Sequence, residues 1–131
     1  GGPVIDPRPP EVIAYSELDR IAALDLPAQN QLKEHYDLVT DCLRRYIEGR
    51  YQIPALEQTT SELRTSFSIA LIASETVRKF LNVLQEGDLV KFARYRPQPQ
   101  DAYSLLERAR NLVRTTTPAP EDTKEPQKVA P

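Results

Sequence analysis

The stretch Asp88-Leu-Val-Lys-Phe-Ala-Arg-Tyr-Arg-Pro97 decides how the fold of this chain is interpreted. Three large apolar residues, Leu89, Val90 and Phe92, sit among basic ones, and a proline closes the run. A glycine precedes the stretch, and glycine is a natural stop for a helix. We therefore predict that the aspartate caps one extra turn and that the three apolar side chains plug the end of a helical bundle.

This plug assignment carries an energetic prediction. If Phe92 is buried, its replacement by alanine should lower the free energy of unfolding by about 3–5 kcal/mol. A loss of that size would nearly unfold a small domain. We also expect Ile53 and Leu56 to lie in a tight connection that packs beneath the helices.

Helical periodicity extends outward from this stretch in both directions. The strongest pattern runs from about residue 28 to residue 51, where apolar residues recur at three- and four-residue steps. Pro54 ends that helix because it forces the preceding residue out of helical geometry. Arg44 and Glu48 lie four residues apart on it and are expected to form a weak surface pair. A shorter pattern lies between residues 11 and 26, with Ser16 as its cap.

The second half of the chain adds three more helical segments. Thr59-Thr-Ser-Glu62 is a capping box and opens a short helix. The apolar segment 68–73 fits no element clearly, and a helical stripe then runs from residue 74 to a stop at Gly87. Pro99 opens a last helix that continues to Thr115. No segment alternates with a period of two, so the sequence predicts an all-α fold, a compact bundle of about five helices.

Both ends of the chain differ from the centre in composition. Residues 1–10 and 118–131 each hold four of the twelve prolines, and the last segment has almost no large apolar residue. Such segments bury too little surface to offset the entropy of ordering. We predict an extended linker over 1–13 (with Gly1-Gly2 as a cleavage remnant), a helical domain over 14–114 and a disordered tail over 115–131. The absence of methionine predicts a fragment of a longer protein.

Composition argues against several functional classes. The net charge is −2, and the excess of basic residues in the central part is mild for a nucleic-acid binder. A single cysteine excludes an internal disulfide. Four glycines, two of them at the terminus, cannot build a phosphate-binding loop. No apolar run approaches the roughly 20 residues that cross a bilayer.

Residues with catalytic or metal-binding chemistry are few. His35 and Cys42 are seven residues apart and share a helix face, but a structural zinc site needs four ligands. We predict a surface imidazole and a half-buried thiol. Asp37 and Asp41 also share a face, and in so polar a helix they are expected to be solvated. The sequence therefore predicts no metal, no cofactor and no enzymatic activity.

DNA binding is the sharper alternative. Residues 59–84 are consistent with two helices joined by a short link, and residues 84–91 resemble the end of a recognition helix that leads into a wing. Acidic residues are interspersed, and the second helix lacks the polar side chains that contact base edges. A degenerate winged-helix domain stays open as the alternative. The cations that would contact phosphates are Arg64, Arg78, Lys79, Lys91, Arg94 and Arg96.

Two segments carry a resemblance to a known family. One is Leu43-Arg-Arg-Tyr-Ile-Glu-Gly-Arg-Tyr-Gln-Ile-Pro-Ala-Leu-Glu-Gln-Thr-Thr-Ser-Glu-Leu63, and the other is Asp88–Pro97 with the helix that follows it. They resemble the cytoplasmic C-terminal domain of bacterial membrane-anchored BatD-like (Bacteroides aerotolerance) proteins. Genes for such proteins often lie beside those for MoxR-type AAA ATPases and von Willebrand factor A domain proteins. Members of this family often have glycine where Gln52 stands.

The resemblance implies a location and a partner, but no catalytic residues. A transmembrane helix would precede Val4, and the domain would lie on the cytoplasmic face of the bacterial inner membrane. The implied partner is the AAA ATPase or the von Willebrand factor A protein.

We therefore expect a non-enzymatic protein-interaction module. A domain that only stabilises or oligomerises its parent protein is a weaker option. Tyrosine and arginine are favoured at protein interfaces. The partner-binding surface is accordingly predicted at Arg44, Arg45, Arg50, Tyr51, Lys91, Arg94, Tyr95 and Arg96.

Overall fold

Five α-helices and two short 3₁₀ helices follow one another within residues 6–120. The computed structural model describes residues 6–120, and no strand occurs in that range. The predicted all-α bundle of about five helices is confirmed. The helices are α1 (Pro10–Leu24), α2 (Leu32–Tyr51), α3 (Thr60–Ile69), α4 (Ser74–Phe92) and α5 (Pro99–Thr116), with 3₁₀ turns at Leu26–Gln29 and Ala55–Glu57.

Helix α2 lies at the centre of the bundle. It packs against α1, α4 and α5, and α3 packs mainly against α4. Its inner face places Tyr36, Leu43 and Ile47 in the core, each fully buried or nearly so. The core thus follows the three- and four-residue spacing of α2 that the sequence shows.

An aromatic cluster joins α3 and α4 beside the end of α2. The rings of Phe67 and Phe80 stack with centroids 5.5 Å apart and an interplanar angle of 19°. Tyr51 meets both rings edge-on, with centroids 6.4 and 6.1 Å away. We refer to these three residues as the aromatic cluster.

The predicted helix boundaries hold at two places. Glu62 N–H donates to Thr59 Oγ1 at 3.1 Å, and Thr59 N–H donates to Glu62 Oε1 at 2.9 Å, so the capping box before α3 is confirmed. Pro99 opens α5, as predicted. At the start of α5, Gln98 N–H also donates to Asp101 Oδ2 at 3.0 Å, a capping hydrogen bond that was not predicted.

Other boundaries need correction. Helix α1 starts at Pro10, with proline in its first turn, so Ser16 lies inside the helix and is not its cap. Helix α2 starts at Leu32 because the 3₁₀ turn Leu26–Gln29 occupies the predicted first turn. The helical part thus extends beyond 14–114 at both ends. Residues 1–5 of the predicted linker over 1–13 and residues 121–131 of the predicted tail over 115–131 lie outside the described residues.

The largest correction concerns Gly87. Helix α4 runs through this residue to Phe92 and does not stop there. A Cβ atom at position 87 would lie 2.6 Å from Thr40 Cγ2, so the glycine allows α2 and α4 to approach closely. The absent side chain therefore serves packing between helices and does not mark the predicted helix stop. The wing that the DNA-binding alternative places after Leu84 is helical as a result.

Candidate functional site

The last turn of α4 and the residues after it form an exposed segment. Every residue from Lys91 to Arg96 is exposed, and we call Lys91–Arg96 the basic–aromatic tract. The helix ends because Arg94 adopts a left-handed backbone conformation, with φ of 58°. The N–H groups of Ala93 and Tyr95 both donate to the carbonyl of Leu89, at 3.0 and 3.2 Å. The backbone of the tract is therefore held while its side chains face solvent.

The plug assignment is wrong for two of its three residues. Val90 is buried, but Phe92 is 74 % exposed and Leu89 is exposed as well. The cause is the continuity of α4: Val83, Gly87 and Val90 follow one another on the inner face at helical spacing. Positions 89 and 92 then fall on the outer face. In the connection after α2, Ile53 is buried as expected, whereas Leu56 is exposed.

The three cations of the tract have no acidic partner in the described part of the chain. The structure records ion pairs for other arginines, and none of them involves Lys91, Arg94 or Arg96. Lys91 Nζ lies 5.4 Å from the centroid of the Phe92 ring, which places an ammonium group over an exposed aromatic face. The charge of the tract is thus open to a partner.

A groove of about 350 Å³ adjoins the tract between α2 and α4. Lys91, Phe92 and the exposed Leu56 contribute to its lining, while Thr40 and Gly87 lie where the two helices approach each other. Four carboxylates also line the groove: Asp37, Asp41, Glu57 and Asp88. No group of three or more histidine, cysteine, aspartate or glutamate side chains in residues 6–120 is placed to hold a metal ion.

Arg44 lies in this groove, but its guanidinium group is engaged within the protein. Nη1 donates to the carbonyl oxygens of Ala55 and Gln58, each at 2.7 Å, and Nη2 donates to Thr60 Oγ1 at 3.2 Å. The Thr60 hydroxyl donates in turn to Asp88 at 2.7 Å. Arg44 therefore fastens the connection between α2 and α3.

The predicted surface pair between Arg44 and Glu48 does not form. The Glu48 carboxylate instead accepts a hydrogen bond from the Leu56 backbone N–H at 2.8 Å. Both side chains thus bind the backbone of the segment that follows α2.

The other predicted residues of α2 lie away from the tract. Arg45 approaches Glu17 of α1 at 3.7 Å. Arg50 Nε donates to the Thr116 carbonyl at 2.8 Å, at the end of α5, and its guanidinium carbon lies 4.6 Å from the centre of the Tyr51 ring. The structure therefore brings Arg44 to the groove beside Lys91, and it separates Arg45, Arg50 and Tyr51 from Lys91, Arg94, Tyr95 and Arg96.

His35 is buried, so the predicted surface imidazole is wrong. Its Nε2 lies 2.8 Å from the Ala102 carbonyl and serves as the donor, while the buried Nδ1 has no hydrogen-bond partner. Burial lowers the pKa of the His35 imidazole below its ordinary value. The ring is thus a neutral packing element between α2 and α5.

Cys42 is fully buried and not half-buried. Its Sγ lies 3.7 Å from the Ala14 carbonyl of α1, and burial raises the pKa of the thiol to about 12. His35 contacts α5 whereas Cys42 contacts α1, so the two side chains do not converge on a common site.

The corner between α3 and α4 was not predicted as a site. Leu71 is 90 % exposed and Ile69 is 77 % exposed, the highest values among the large apolar residues of the described chain. Leu71 also has a left-handed backbone, with φ of 59°. The unusual apolar character of segment 68–73 was the available signal in the sequence.

Comparison of the chain with protein-family models, with curated proteins and with solved structures gives no match. None of the helices within residues 6–120 combines the length and the apolar character that a membrane crossing requires.

Proposed function

We propose that this chain is a non-enzymatic protein-interaction domain whose docking surface is the basic–aromatic tract. The observation that carries the proposal is the exposed Phe92 ring beside cations that no described carboxylate neutralises. Aromatic and arginine side chains dominate the energetics of protein interfaces. Exposing them adds little to folding, so their placement fits association with another protein.

The groove beside the tract supports the same function. One cation of the tract, Lys91, lines the groove together with its carboxylates but forms no ion pair with them, so the surface presents both signs of charge around the exposed Phe92 and Leu56. An apolar centre with a charged rim is the usual anatomy of a specific interface. Charges at a rim act chiefly on the rate of association and on the choice of partner.

The resemblance to BatD-like proteins supplies the proposed partner and location. On this proposal the domain belongs to a membrane-anchored protein and lies on the cytoplasmic face of the bacterial inner membrane. The partner is the MoxR-type AAA ATPase or the von Willebrand factor A protein encoded beside the parent gene. This step rests on analogy with the family.

The test is a calorimetric titration of the chain with those two candidate proteins. The double variant Lys91→Glu/Arg94→Glu should weaken binding by at least about tenfold, or about 1.4 kcal/mol. Lys33→Glu/Lys79→Glu is the matched control, because it reverses two exposed charges outside the tract and should leave affinity unchanged. Equal losses of affinity in the two double variants would show that the effect comes from net charge alone. Failure of the unaltered chain to bind either protein would refute the proposed partner.

A parallel titration with random duplex DNA addresses the winged-helix alternative. At low salt we expect no binding. Binding that weakens steeply as salt is added would favour contacts with phosphates over contacts with a protein.

A further inference from the structure

The turn between α3 and α4 places a leucine where helices normally place glycine. Ile72 N–H donates to the Phe67 carbonyl at 3.3 Å, and Leu71 N–H donates to the Ser68 carbonyl at 3.1 Å. This pair of hydrogen bonds is the Schellman motif, and its left-handed position is Leu71. Glycine is preferred there because a side chain clashes with the backbone in that conformation.

The Leu71 side chain makes no apparent contribution to the stability of the folded domain. Its side chain is 90 % exposed, so it buries almost no surface to offset the strained backbone. Asparagine or glycine would fit the same turn with less strain. A strained residue whose side chain faces solvent is an observation that points to function.

Leu71 stands at one end of a groove between α3 and α4, of about 540 Å³. Ile72, Val77 and Leu81 continue the apolar lining beyond it, and polar side chains, among them Asn82 and Gln85, complete the rim. From Ser74 to Gln85 the groove follows α4 for about 16 Å, the length of about three helical turns. None of residues 91–96 lines it, so the groove is separate from the basic–aromatic tract.

The charges of the groove are of one sign. Arg64 and Arg78 line it, and no carboxylate does. Arg78 is paired with Glu75, whereas Arg64 forms no ion pair within residues 6–120. A partner that fills the groove therefore needs aliphatic side chains for its apolar strip and an acidic side chain for Arg64.

We infer that the α3–α4 groove is a second docking site, which receives an acidic amphipathic helix of another protein, with Leu71 as the main contact at one end of the groove. An amphipathic helix presents apolar side chains at i, i+3, i+4 and i+7, a run of about two turns that fits within a groove about three turns long. Leu71 packs between those side chains, and Arg64 pairs with a carboxylate on the flank of the bound helix. The strain at Leu71 is thus maintained for binding.

The test uses two fluorescent peptides of about three helical turns. Both carry leucine at i, i+3, i+4 and i+7, and their flanks are glutamate in one and lysine in the other. Anisotropy titrations with the whole chain should show the acidic peptide binding at least about tenfold more tightly. Backbone amide shifts in the complex should change along residues 64–85.

Two variants of the chain locate the contact. Leu71→Asn should lower affinity for the acidic peptide at least about tenfold, with a Tm no lower than that of the unaltered chain. Leu24→Asn is the matched control, since it alters another exposed leucine and should leave the affinity unchanged. Arg64→Glu should reverse the preference between the two peptides.

Several results would overturn the inference. Equal binding of both peptides, no binding at all, or full affinity in Leu71→Asn would each do so, and a lower Tm in that variant would show that Leu71 serves folding. If the chain self-associates in sedimentation and this depends on Leu71, the groove binds a second copy of the chain. If the chain floats with anionic vesicles and this depends on Leu71, the groove binds a membrane. Tighter binding of the acidic peptide after removal of residues 121–131 would show that the C-terminal end of the chain itself occupies the groove. The proposal for the basic–aromatic tract stands or falls separately, with the variants at Lys91 and Arg94.

Discussion

The two ends of helix α4 carry similar side chains in opposite environments. Near its start, Phe80 stacks on Phe67 in the aromatic cluster and is completely buried. At its end, Phe92 and Tyr95 face solvent. The same residue type therefore contributes to stability in one region and is available for binding in the other. The difference comes from the helix face on which each ring falls, and not from local composition.

Neighbouring elements determine which face is covered. At the start of α4, α3 and the end of α2 enclose the rings. At the end of α4, α2 covers only the inner face, through Thr40 and Gly87, and the groove remains beside it. Four measurements test this difference between the two ends of α4.

The largest expected effect is at the buried end. Phe80→Ala should lower the free energy of unfolding by about 3–5 kcal/mol, because it leaves a cavity in the aromatic cluster. Urea unfolding monitored by circular dichroism gives the value. A loss below about 1 kcal/mol would mean that the two ends of α4 do not differ in the way described.

Gly87 lies between the two ends and tests how closely α2 approaches α4. Gly87→Ala should destabilise the domain by about 1–2 kcal/mol, since overpacking outweighs the gain in helix propensity. Its Cβ would meet Thr40 Cγ2, and the Thr40 hydroxyl holds that rotamer by donating to the Tyr36 carbonyl at 2.9 Å.

Thr40→Ser provides the control for Gly87→Ala. It removes the obstructing methyl group and keeps the hydroxyl, so the double variant should recover most of the lost stability in a urea titration. A double variant as unstable as the single one would show that the strain lies elsewhere.

The third measurement uses pH to weaken the end of the bundle where α2 meets the start of α5. The pKa of His35 is lowered from 6.5 by burial, so the unfolded chain binds a proton more readily than the folded chain. The contribution of the neutral His35 ring to stability is therefore fully present above pH 6.5 and is lost as the pH falls below that value. We expect the Tm to fall between about pH 7.5 and about pH 5.5.

His35→Gln is the matched variant for this pH dependence. Its side-chain amide can donate to the Ala102 carbonyl but does not titrate, so its Tm should change less over the same range. Hydrogen exchange at low pH should increase first at the start of α5, ahead of the aromatic cluster. An identical pH profile in both proteins would remove His35 as the cause.

The smallest effect is expected at the exposed end. Phe92→Ala should change the free energy of unfolding by no more than about 0.5 kcal/mol, because the ring is 74 % exposed. The same variant should weaken binding of a partner to the tract. A loss of several kcal/mol in urea unfolding would restore the plug assignment made from the sequence.

The sequence was sufficient where local patterns determine structure. The spacing of apolar residues in α2 and the Thr59–Glu62 capping box predicted a helix and a helix start, and both are present. It misled at Gly87, because a glycine that ends a helix and one that lets two helices touch look alike in a sequence. Only the position of Thr40 distinguishes them.

The exposure of the proposed docking residues was harder to predict, for a related reason. Lys91, Arg94 and Arg96 are exposed, as a docking surface requires. Arg44 and Arg50 instead donate to backbone carbonyl groups distant in the chain. An arginine that binds the backbone of a loop and an exposed arginine can have the same local sequence. Only the positions of hydrogen-bond acceptors in the folded chain distinguish them.

Cys42 gives the protein a built-in reporter of its own opening. Its thiol is buried against α1, and the pKa of about 12 leaves almost no thiolate at neutral pH. Alkylation by a maleimide therefore requires an opening of the fold that exposes the Cys42 thiol, and the labelling rate measures how often this happens. Because the chain has a single cysteine, one mass-spectrometric time course on the unmodified protein suffices.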